Sequence, residues 1–363
     1  MPDGGDSEMS DALDVPIEEL TREREPDFSR MLKVLNNERP DRPVLFEIGI
    51  NVAAARGPLG DAWLSEDEPL GKQRNTMNAA RVLGYDYACL PGGYELRTGG
   101  WGNTHPERRD DARTVSESTG VIRDEESFEA FEWPVHNEAE YARLAELAPY
   151  VPEGMKLLMR SYTLQERIID LVGYENLCLM LYDNPALVGA IADRLGELAL
   201  EHLRLGLQHD FIGFVLQCDD WGFKTQVLLP PDVMREHVIP WHKRIADTVH
   251  ALRRPLILHS CGRIEVVMGD VVDVIGYDGK HSFEDEIIPI EDYYEKWQAR
   301  IALLGGIDVD FLCRRTPREV FDRSRAMLER TADRGGYALG SGNSVPEYVP
   351  VENYLAMLKA ALS

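Results

Sequence analysis

Eight short apolar runs, most of them followed by a stretch long enough for a helix, organise this sequence. The apolar runs span residues 44–50, 85–90, 156–160, 213–220, 255–261, 273–280, 300–306 and 337–342. The helix-length segments include 22–37, 184–208, 231–252, 316–334 and 351–362. Continuous apolar strands are typical of a parallel sheet that helices cover on both faces. Eight strand–helix units predict an α/β fold, the TIM (β/α)8 barrel.

The chain is predicted to contain one domain and an acidic tail. Residues 1–20 hold seven acidic and no basic side chains, so we predict disorder over 1–24 and one barrel over 25–363. Residues 92–150, rich in Gly, Arg, Asp and Glu, predict a long insertion after strand two. An open Rossmann-type sheet fits less well, because no apolar run is followed by a G-x-G-x-x-G or P-loop motif.

Charge and composition exclude several classes of partner. The 363 residues include 39 Lys plus Arg and 63 Asp plus Glu, which gives a formal charge of −24. This charge excludes a general nucleic-acid binder and disfavours anionic membrane surfaces, since both need clustered basic side chains. The five cysteines are scattered, and no apolar run reaches the ~18 residues of a membrane span. We therefore expect a cytoplasmic protein that acts on a small molecule.

The fifth apolar run ends in a pair of metal-ligand residue types. His259 and Cys261 are two residues apart at the end of this run, so in a strand they project to the same side. Imidazole and thiolate are good zinc ligands, and Gly262 lets the backbone turn away. A buried histidine beside a core cysteine is the alternative. The placement predicts a zinc site at the barrel mouth, because barrel active sites lie at the carboxyl ends of the strands.

Two other strands carry carboxylates in apolar surroundings. Glu47 lies inside the first run, where a carboxylate is costly unless it is paired or binds a cation. Cys218, Asp219 and Asp220 end the fourth run, with Cys218 and Asp220 on one side of the strand and Asp219 on the other. We predict Asp219 and Asp220 as catalytic residues; the alternative is that one of them caps a helix. Glu47 is predicted to contact substrate.

Polar residues also end the sixth and eighth runs. Lys280 and His281 directly follow apolar residues, as a proton-transfer or anion-binding pair would. The alternative for Lys280 is a surface ion pair with Glu284 or Asp285. The loop around Ser341 and Asn343 offers small polar groups before a helix. We predict catalytic roles for Lys280 and His281, and substrate contacts for the residues Trp221, Ser341 and Asn343.

Several motifs, taken together, resemble one protein superfamily. They are CDDWG (218–222), MREHVIPWHKRI (234–245), LHSCG (258–262), LLGGID (303–308) and residues 335–357. Over roughly residues 25–362 the chain resembles the uroporphyrinogen decarboxylase-like superfamily. The resemblance implies a TIM barrel. It also implies either the decarboxylase of haem synthesis or a zinc-dependent methyltransferase that works with a corrinoid protein or methylcobalamin.

The decarboxylase branch of this superfamily implies residues that the chain lacks. That branch places arginines after its first strand and an aspartate after its second. Here the first arginine after Glu47 is Arg56, and Cys89 is followed by Leu-Pro-Gly-Gly. The strongly acidic chain is also poorly suited to a polycarboxylate substrate. Decarboxylation of a tetrapyrrole or another acid is therefore the alternative function.

The methyltransferase branch implies an H-x-C pair and a later cysteine as zinc ligands. His259 and Cys261 match the pair, and Ser341 stands where the later cysteine would fall. Further ligands would then come from Glu47, Cys218, Asp220 or His281. We predict a zinc-assisted methyltransferase acting on a small methylated compound, with a corrinoid protein as partner and a homodimer as the assembly. A non-catalytic barrel that binds a small molecule or a corrinoid protein is the third hypothesis.

Overall fold

Seven parallel strands lie side by side in the order in which they occur in the chain. The computed structural model describes residues 12–65, 67–90 and 120–363. Strands β3 to β6 are almost wholly buried, as expected for a sheet covered on both faces. The strands are β1 (Tyr87–Cys89), β2 (Lys156–Arg160), β3 (Ile212–Cys218), β4 (Leu256–His259), β5 (Gly279–His281), β6 (Ala302–Leu304) and β7 (Tyr337–Ala338). The predicted parallel α/β architecture is confirmed.

The first predicted strand, residues 44–50, joins the two edges of this sheet. On one side it makes parallel bridges, Leu45 with Leu339 and Ile50 with Val345, alongside and beyond β7. On the other side the Tyr87 hydroxyl of β1 accepts a hydrogen bond from the Glu47 N–H (2.7 Å) and donates one to the Glu47 carbonyl (2.6 Å). Segment 44–50 therefore lies between β7 and β1, with isolated bridges in place of a continuous ladder.

Helices occupy most of the chain between the strands, and several begin at a capping side chain. Asn184 caps the longest one, and Thr316 and Glu319 form a capping box before another. None of the helices that the structure describes combines the length and apolarity needed to cross a membrane. The α-helices are α1 (Ile17–Leu20), α2 (Ser29–Leu35), α3 (Val52–Leu59), α4 (Gly71–Val82), α5 (Glu125–Ala130), α6 (Glu138–Ala142), α7 (Gln165–Val172), α8 (Tyr174–Asp183), α9 (Pro185–Gly206), α10 (Pro231–Val233), α11 (Ile239–Ala251), α12 (Ile290–Trp297), α13 (Val309–Arg314), α14 (Pro317–Thr331) and α15 (Val351–Leu362).

Shorter helical segments of other types complete the fold. The 3-10 segments are Gly60–Ala62, Arg143–Tyr150 and Glu265–Val267, and the π-helical segments are Met234–Val238 and Asp270–Ile275. The predicted helix 231–252 is therefore three consecutive segments, α10, a π-helical turn and α11. The predicted helix 22–37 is shorter in the structure, where only α2 forms.

The sixth predicted strand, residues 273–280, is wrong except at its last two residues. Residues 273–275 belong to the π-helical segment Asp270–Ile275, and the strand itself begins only at Gly279. The helix buries Val271 and Ile275, four residues apart, and ends at Gly276 in a left-handed conformation (φ +83°) that glycine adopts without strain. The apolar run therefore contains a helix end followed by a short strand.

The predicted tail and insertion are only partly within the described residues. Residues 1–11 and 91–119 lie outside them. In the rest of the predicted tail, α1 is helical and buries Ile17, so ordered structure begins before residue 25. The division of the chain at residue 24 otherwise stays a prediction. In the rest of the predicted insertion, residues 125–150 are largely helical.

Candidate functional site

Asp220, His259 and Cys261 bring three potential metal ligands together at the carboxyl ends of β3 and β4. The Asp220 carboxylate, the His259 imidazole and the Cys261 sulfur each offer an atom within 4.8 Å of the others. His259 Nε2 lies 3.7 Å from Cys261 Sγ and 3.9 Å from Asp220 Oδ1. Asp220 Oδ1 also accepts a hydrogen bond from the Cys261 N–H (2.9 Å). We call these three residues the metal-ligand group.

A second histidine determines which nitrogen of His259 faces this group. Nδ1 of His259 and Nδ1 of His281 lie 2.8 Å apart, and His281 Nε2 points at the Ser341 carbonyl oxygen (3.4 Å). Burial, and then the nearby Lys280 charge, lower the pKa of His281 to about 3, so its ring is neutral at physiological pH. With its Nε2–H directed at Ser341, His281 accepts at Nδ1 and His259 donates. Nε2 of His259 therefore directs a lone pair toward Cys261 and Asp220.

The sulfur of Cys261 is surrounded by hydrogen-bond donors. The Ser282 hydroxyl lies 3.3 Å from Sγ and the Asn343 amide nitrogen 3.4 Å from it. Ser282 is buried in a left-handed conformation (φ +84°), a strained state for a residue with a side chain. Gly262 follows with φ +81°, where a Cβ would lie 2.2 Å from the Gly222 backbone. These positions hold the loops beside the sulfur in one arrangement, with the Ser282 hydroxyl and the Asn343 amide directed at it.

Glu47 and Ser341 bind each other and do not join the metal-ligand group. Glu47 Oε1 accepts the Ser341 N–H (2.6 Å), and Oε2 lies 2.7 Å from the Ser341 hydroxyl, which also lies 3.1 Å from the Asn343 carbonyl oxygen. Burial raises the pKa of Glu47 to about 8, and the hydrogen bonds that Ser341 donates to the carboxyl group oppose this rise only in part. Glu47 and Ser341 are therefore held by each other, and their predicted contacts with substrate stay predictions.

Asp219 and Trp221 make contacts inside the protein, and neither belongs to the metal-ligand group. The Asp219 carboxylate accepts backbone N–H groups of residues 164–166 (3.0 Å each), at the start of α7. It also accepts from Trp221 Nε1 and His242 Nε2, both at 2.9 Å. The Trp221 side chain is fully buried. Both oxygens of Asp219 accept hydrogen bonds from structural donors, while the predicted roles of Asp219 in catalysis and of Trp221 in substrate binding stay predictions.

Two further predicted residues, Lys280 and Cys218, lie near the metal-ligand group. Lys280 is only 2 % exposed, its ammonium group donates to the Ser282 carbonyl, and it lies 4.2 Å from the Phe283 ring centroid. Burial lowers the pKa of Lys280 to about 8. The alternative of a surface ion pair is therefore wrong. Cys218 ends β3 beside His259 but is not a member of the metal-ligand group.

A cavity adjoins this region, and sequence reasoning missed most of its polar residues. Its volume is about 660 Å³, and it is formed by segment 44–50, β1, β2 and parts of α3 and α4. Arg160 and Ser161, at the end of β2, line it together with Lys72 and Glu47. Arg160 is the last residue of the apolar run KLLMR. Because active sites of this architecture lie at the carboxyl ends of strands, the sequence also indicates Arg160 as a site residue. Through Glu47 and Ser341 the cavity adjoins the metal-ligand group.

Known proteins resemble the chain in sequence and in fold. The family model for uroporphyrinogen decarboxylase (URO-D) matches residues 164–363, which carry the metal-ligand group. The structure of a methyltransferase from Methanosarcina mazei superposes with a TM-score of 0.67 and 15 % identity. The match covers 92 % of this chain and 97 % of that one. At this identity the likeness shows a shared fold. No curated protein sequence matches the chain.

Proposed function

Because the chain belongs to the uroporphyrinogen decarboxylase family, we propose that it is a zinc-assisted methyltransferase of that family. It would move a methyl group between a small methylated compound and a corrinoid or thiol acceptor. The observation that carries this proposal is the metal-ligand group of Asp220, His259 and Cys261. The fold shared with the Methanosarcina mazei methyltransferase is consistent with it. A corrinoid protein and a second copy of the chain remain predicted partners.

The residues present fit a zinc ion. Zinc prefers nitrogen, sulfur and carboxylate oxygen ligands, and catalytic zinc sites use three protein ligands with one position open. The metal-ligand group supplies one atom of each kind. His259 presents the unprotonated nitrogen that a metal requires, because its other nitrogen donates to His281. Ser341 would not be a ligand, since its hydroxyl is hydrogen-bonded to Glu47.

The neighbouring side chains support this chemistry in separate ways. When bound, zinc supplies a Lewis acid that lowers the pKa of a coordinated thiol, so that a thiolate can accept a methyl group. Ser282 and Asn343 orient the Cys261 sulfur, and His281 holds the ring of His259. The neutral Glu47 adds no negative charge beside the group.

Segment 44–50 would complete an eight-stranded barrel around this site. Its bridges to residues 339 and 345 and its contacts with Tyr87 connect both edges of the sheet. The carboxyl ends of all eight strands would then surround one mouth, as in other enzymes with this architecture. The hydrogen bonds that support this proposal join Glu47 to Ser341, Asp220 to Cys261 just beyond β3 and β4, and His259 of β4 to His281 of β5.

Decarboxylation is the second candidate, and the name of the matching family model favours it. The end of segment 44–50 is unfavourable for a tetrapyrrole substrate, because it contributes no arginine to the cavity lining. The residues that it contributes are Glu47, Ile48, Gly49 and Ile50. Incubation with uroporphyrinogen separates the two candidates. Carbon dioxide release by the wild type would contradict the methyltransferase proposal.

Methyl transfer can be measured directly with methylcobalamin and 2-mercaptoethanol. The thiolate sulfur takes the methyl group as its S–CH3 bond forms and the cobalt–carbon bond breaks, and the electron pair stays on cob(I)alamin. We expect the absorbance change of cobalamin with wild type and with Cys178→Ala, whose cysteine is exposed and is not a member of the metal-ligand group. We expect at least about a hundred-fold loss in Cys261→Ala. Equal rates of methyl transfer in Cys178→Ala and Cys261→Ala would overturn the proposal. So would a wild-type rate no higher than that of the uncatalysed reaction.

A further inference from the structure

The cavity of about 660 Å³ beside segment 44–50 is within the size range of pockets that enclose small organic ligands. Aromatic and aliphatic side chains form much of its lining, including Trp63, Leu64, Tyr85 and Tyr87. The hydroxyl of Tyr85 bonds to that of Tyr354 (2.7 Å), and the hydroxyl of Tyr87 bonds to the backbone of Glu47. The hydroxyl groups of both tyrosines therefore have hydrogen-bond partners within the protein, and the two residues contribute mainly their aromatic rings to the cavity lining.

One buried polar atom in this lining lacks a partner. Ser161 is 8 % exposed, and its hydroxyl has no hydrogen-bond partner within residues 12–65, 67–90 and 120–363. A buried hydroxyl without a partner is costly, and native proteins rarely keep one unless water or a ligand satisfies it. Ser161 lines the cavity, so a ligand there is placed to accept its hydrogen bond.

Arg160 precedes Ser161 in the chain, and its guanidinium group has several N–H donors. Its Nη2 donates to the Ile48 carbonyl (2.5 Å), and this contact holds the guanidinium against segment 44–50. A guanidinium carries five N–H donors in a planar fork that matches the two oxygens of a carboxylate. Arg160 and Ile48 both line the cavity, and Arg160 remains exposed. Within the part of the chain that the structure describes, the contact with the Ile48 carbonyl positions the guanidinium and leaves other N–H groups of Arg160 for a ligand.

The charge around the cavity is positive although the chain as a whole is strongly acidic. Burial raises the pKa of Glu47 to about 8 and that of the Cys89 thiol to about 11, so both are largely neutral at pH 7. Burial also lowers the pKa of His202, another lining residue, to about 4. Among the described residues that line the cavity, the groups that stay charged are Arg160 and Lys72. Such a lining attracts an anion.

We propose that this cavity binds an organic carboxylate with an apolar body, its carboxylate held by Arg160 and Ser161 and its body lying against Trp63 and the neighbouring rings. Lys72 at the rim adds attraction for the same charge. If the bound carboxylate is the methylated substrate, that identification rests on the proposed function. Binding itself needs none of the metal ligands.

The test compares an acid with its amide. The probes are 3-phenylpropionate and 3-phenylpropionamide, which are titrated into the full chain. Binding is measured by calorimetry and by tryptophan fluorescence, because Trp63 lines the cavity. We expect the acid to bind and the amide to bind at least about ten-fold more weakly, as expected when a charge-assisted hydrogen bond is lost. Equal binding of the two probes, absent binding of the acid, or tighter binding of inorganic phosphate would overturn the proposal.

Variants of the two anchoring residues make the test specific. Arg160→Gln should weaken binding of the acid about ten-fold or more, while Lys156→Gln, at the other end of β2, should leave it unchanged. Ser161→Ala removes an unpartnered hydroxyl, so it should weaken binding several-fold without lowering the unfolding temperature. This second variant keeps the test valid if Arg160→Gln folds poorly. Wild-type binding by Ser161→Ala would overturn the role of Ser161.

The failure of this proposal and that of the proposed function are distinguishable. Cys261→Ala should lose methyl transfer and still bind 3-phenylpropionate with wild-type affinity, because Cys261 does not line the cavity. If Cys261→Ala loses binding of the acid while its unfolding temperature is unchanged, the carboxylate is bound at the metal-ligand group and the cavity proposal is overturned.

Discussion

Nδ1 of His259 lies 2.8 Å from Nδ1 of His281, so one of the two imidazoles donates and the other accepts. The Ser341 carbonyl beyond His281 Nε2 makes His281 the acceptor at Nδ1. A metal-ligating histidine commonly donates its second ring N–H to such a partner, which fixes its tautomer and orientation. His281 is therefore a positioning residue for His259, and the candidate metal site extends beyond its direct ligands.

Replacing His281 should weaken metal binding without removing a ligand. His281→Phe keeps a ring of similar size against Phe46 but offers no acceptor to His259. We expect zinc affinity, measured by competition with a chromophoric chelator, to fall about 10- to 100-fold. His250→Gln, at an exposed histidine paired with Asp278, is the control and should bind as wild type does. Unchanged affinity in His281→Phe would contradict the positioning role.

The adjacent Asp219 and Asp220 should respond to substitution in opposite ways. Asp219→Ala leaves the N–H groups of residues 164–166, Trp221 and His242 without their buried acceptor, so the free energy of unfolding should fall by about 3–5 kcal/mol. Asp220→Asn keeps an oxygen for the Cys261 N–H and should cost less than about 1 kcal/mol, but should weaken zinc binding. Chemical denaturation and zinc titration of both variants measure the two effects. A stable Asp219→Ala protein would contradict this assignment.

Placing a cysteine at residue 341 should not tighten metal binding. The Ser341 side chain is directed at Glu47, and Ser341→Cys exchanges a strong hydrogen bond for a weak one at a buried acid. We expect a loss of about 1–3 kcal/mol in the free energy of unfolding, similar to that of Ser341→Ala, with zinc affinity unchanged. The two variants are compared by denaturation and zinc titration. Markedly tighter zinc binding in Ser341→Cys alone would show that residue 341 can reach the metal.

The stability of the protein should depend on pH through Glu47. The folded-state pKa of about 8 lies above the ordinary carboxyl value of 4.5, so folding favours the protonated form. This contribution is fully present below pH 4.5 and is lost as pH rises through 8. Glu47→Gln imitates the protonated acid, so wild type should lose stability relative to Glu47→Gln between pH 5.5 and 8.5. A difference in unfolding free energy that does not change with pH would contradict a neutral Glu47.

Strand alternation alone predicts a good part of the candidate site. His259 and Cys261, two residues apart, were expected on one side of their strand, and Nε2 and Sγ lie 3.7 Å apart. The same alternation separates Asp219 from Asp220, and the structure directs them to opposite sides. β3 ends at Cys218 and β4 at His259, so the two-residue period of these strands continues into the residues just beyond them.

Contacts between distant segments are what the sequence does not predict. The acceptor role of Asp219 depends on backbone groups more than 50 residues away, and Glu47 meets Ser341 across 294 residues. No local pattern indicates which strand ends will face each other. At the sixth predicted strand, Gly276 adopts a left-handed conformation and ends a helical segment. The apolar pattern of residues 273–280 does not indicate that conformation.

Zinc content is the most direct test of the central claim that Asp220, His259 and Cys261 form a metal site. Wild-type protein purified without chelators, and matched His259→Ala, Cys261→Ala and Cys178→Ala variants, are analysed by mass spectrometry of the metal after equal exposure to zinc. We predict about one zinc per chain in wild type and in Cys178→Ala, and a large loss in the other two. Wild type without zinc, or zinc retained in both His259→Ala and Cys261→Ala, would contradict the account.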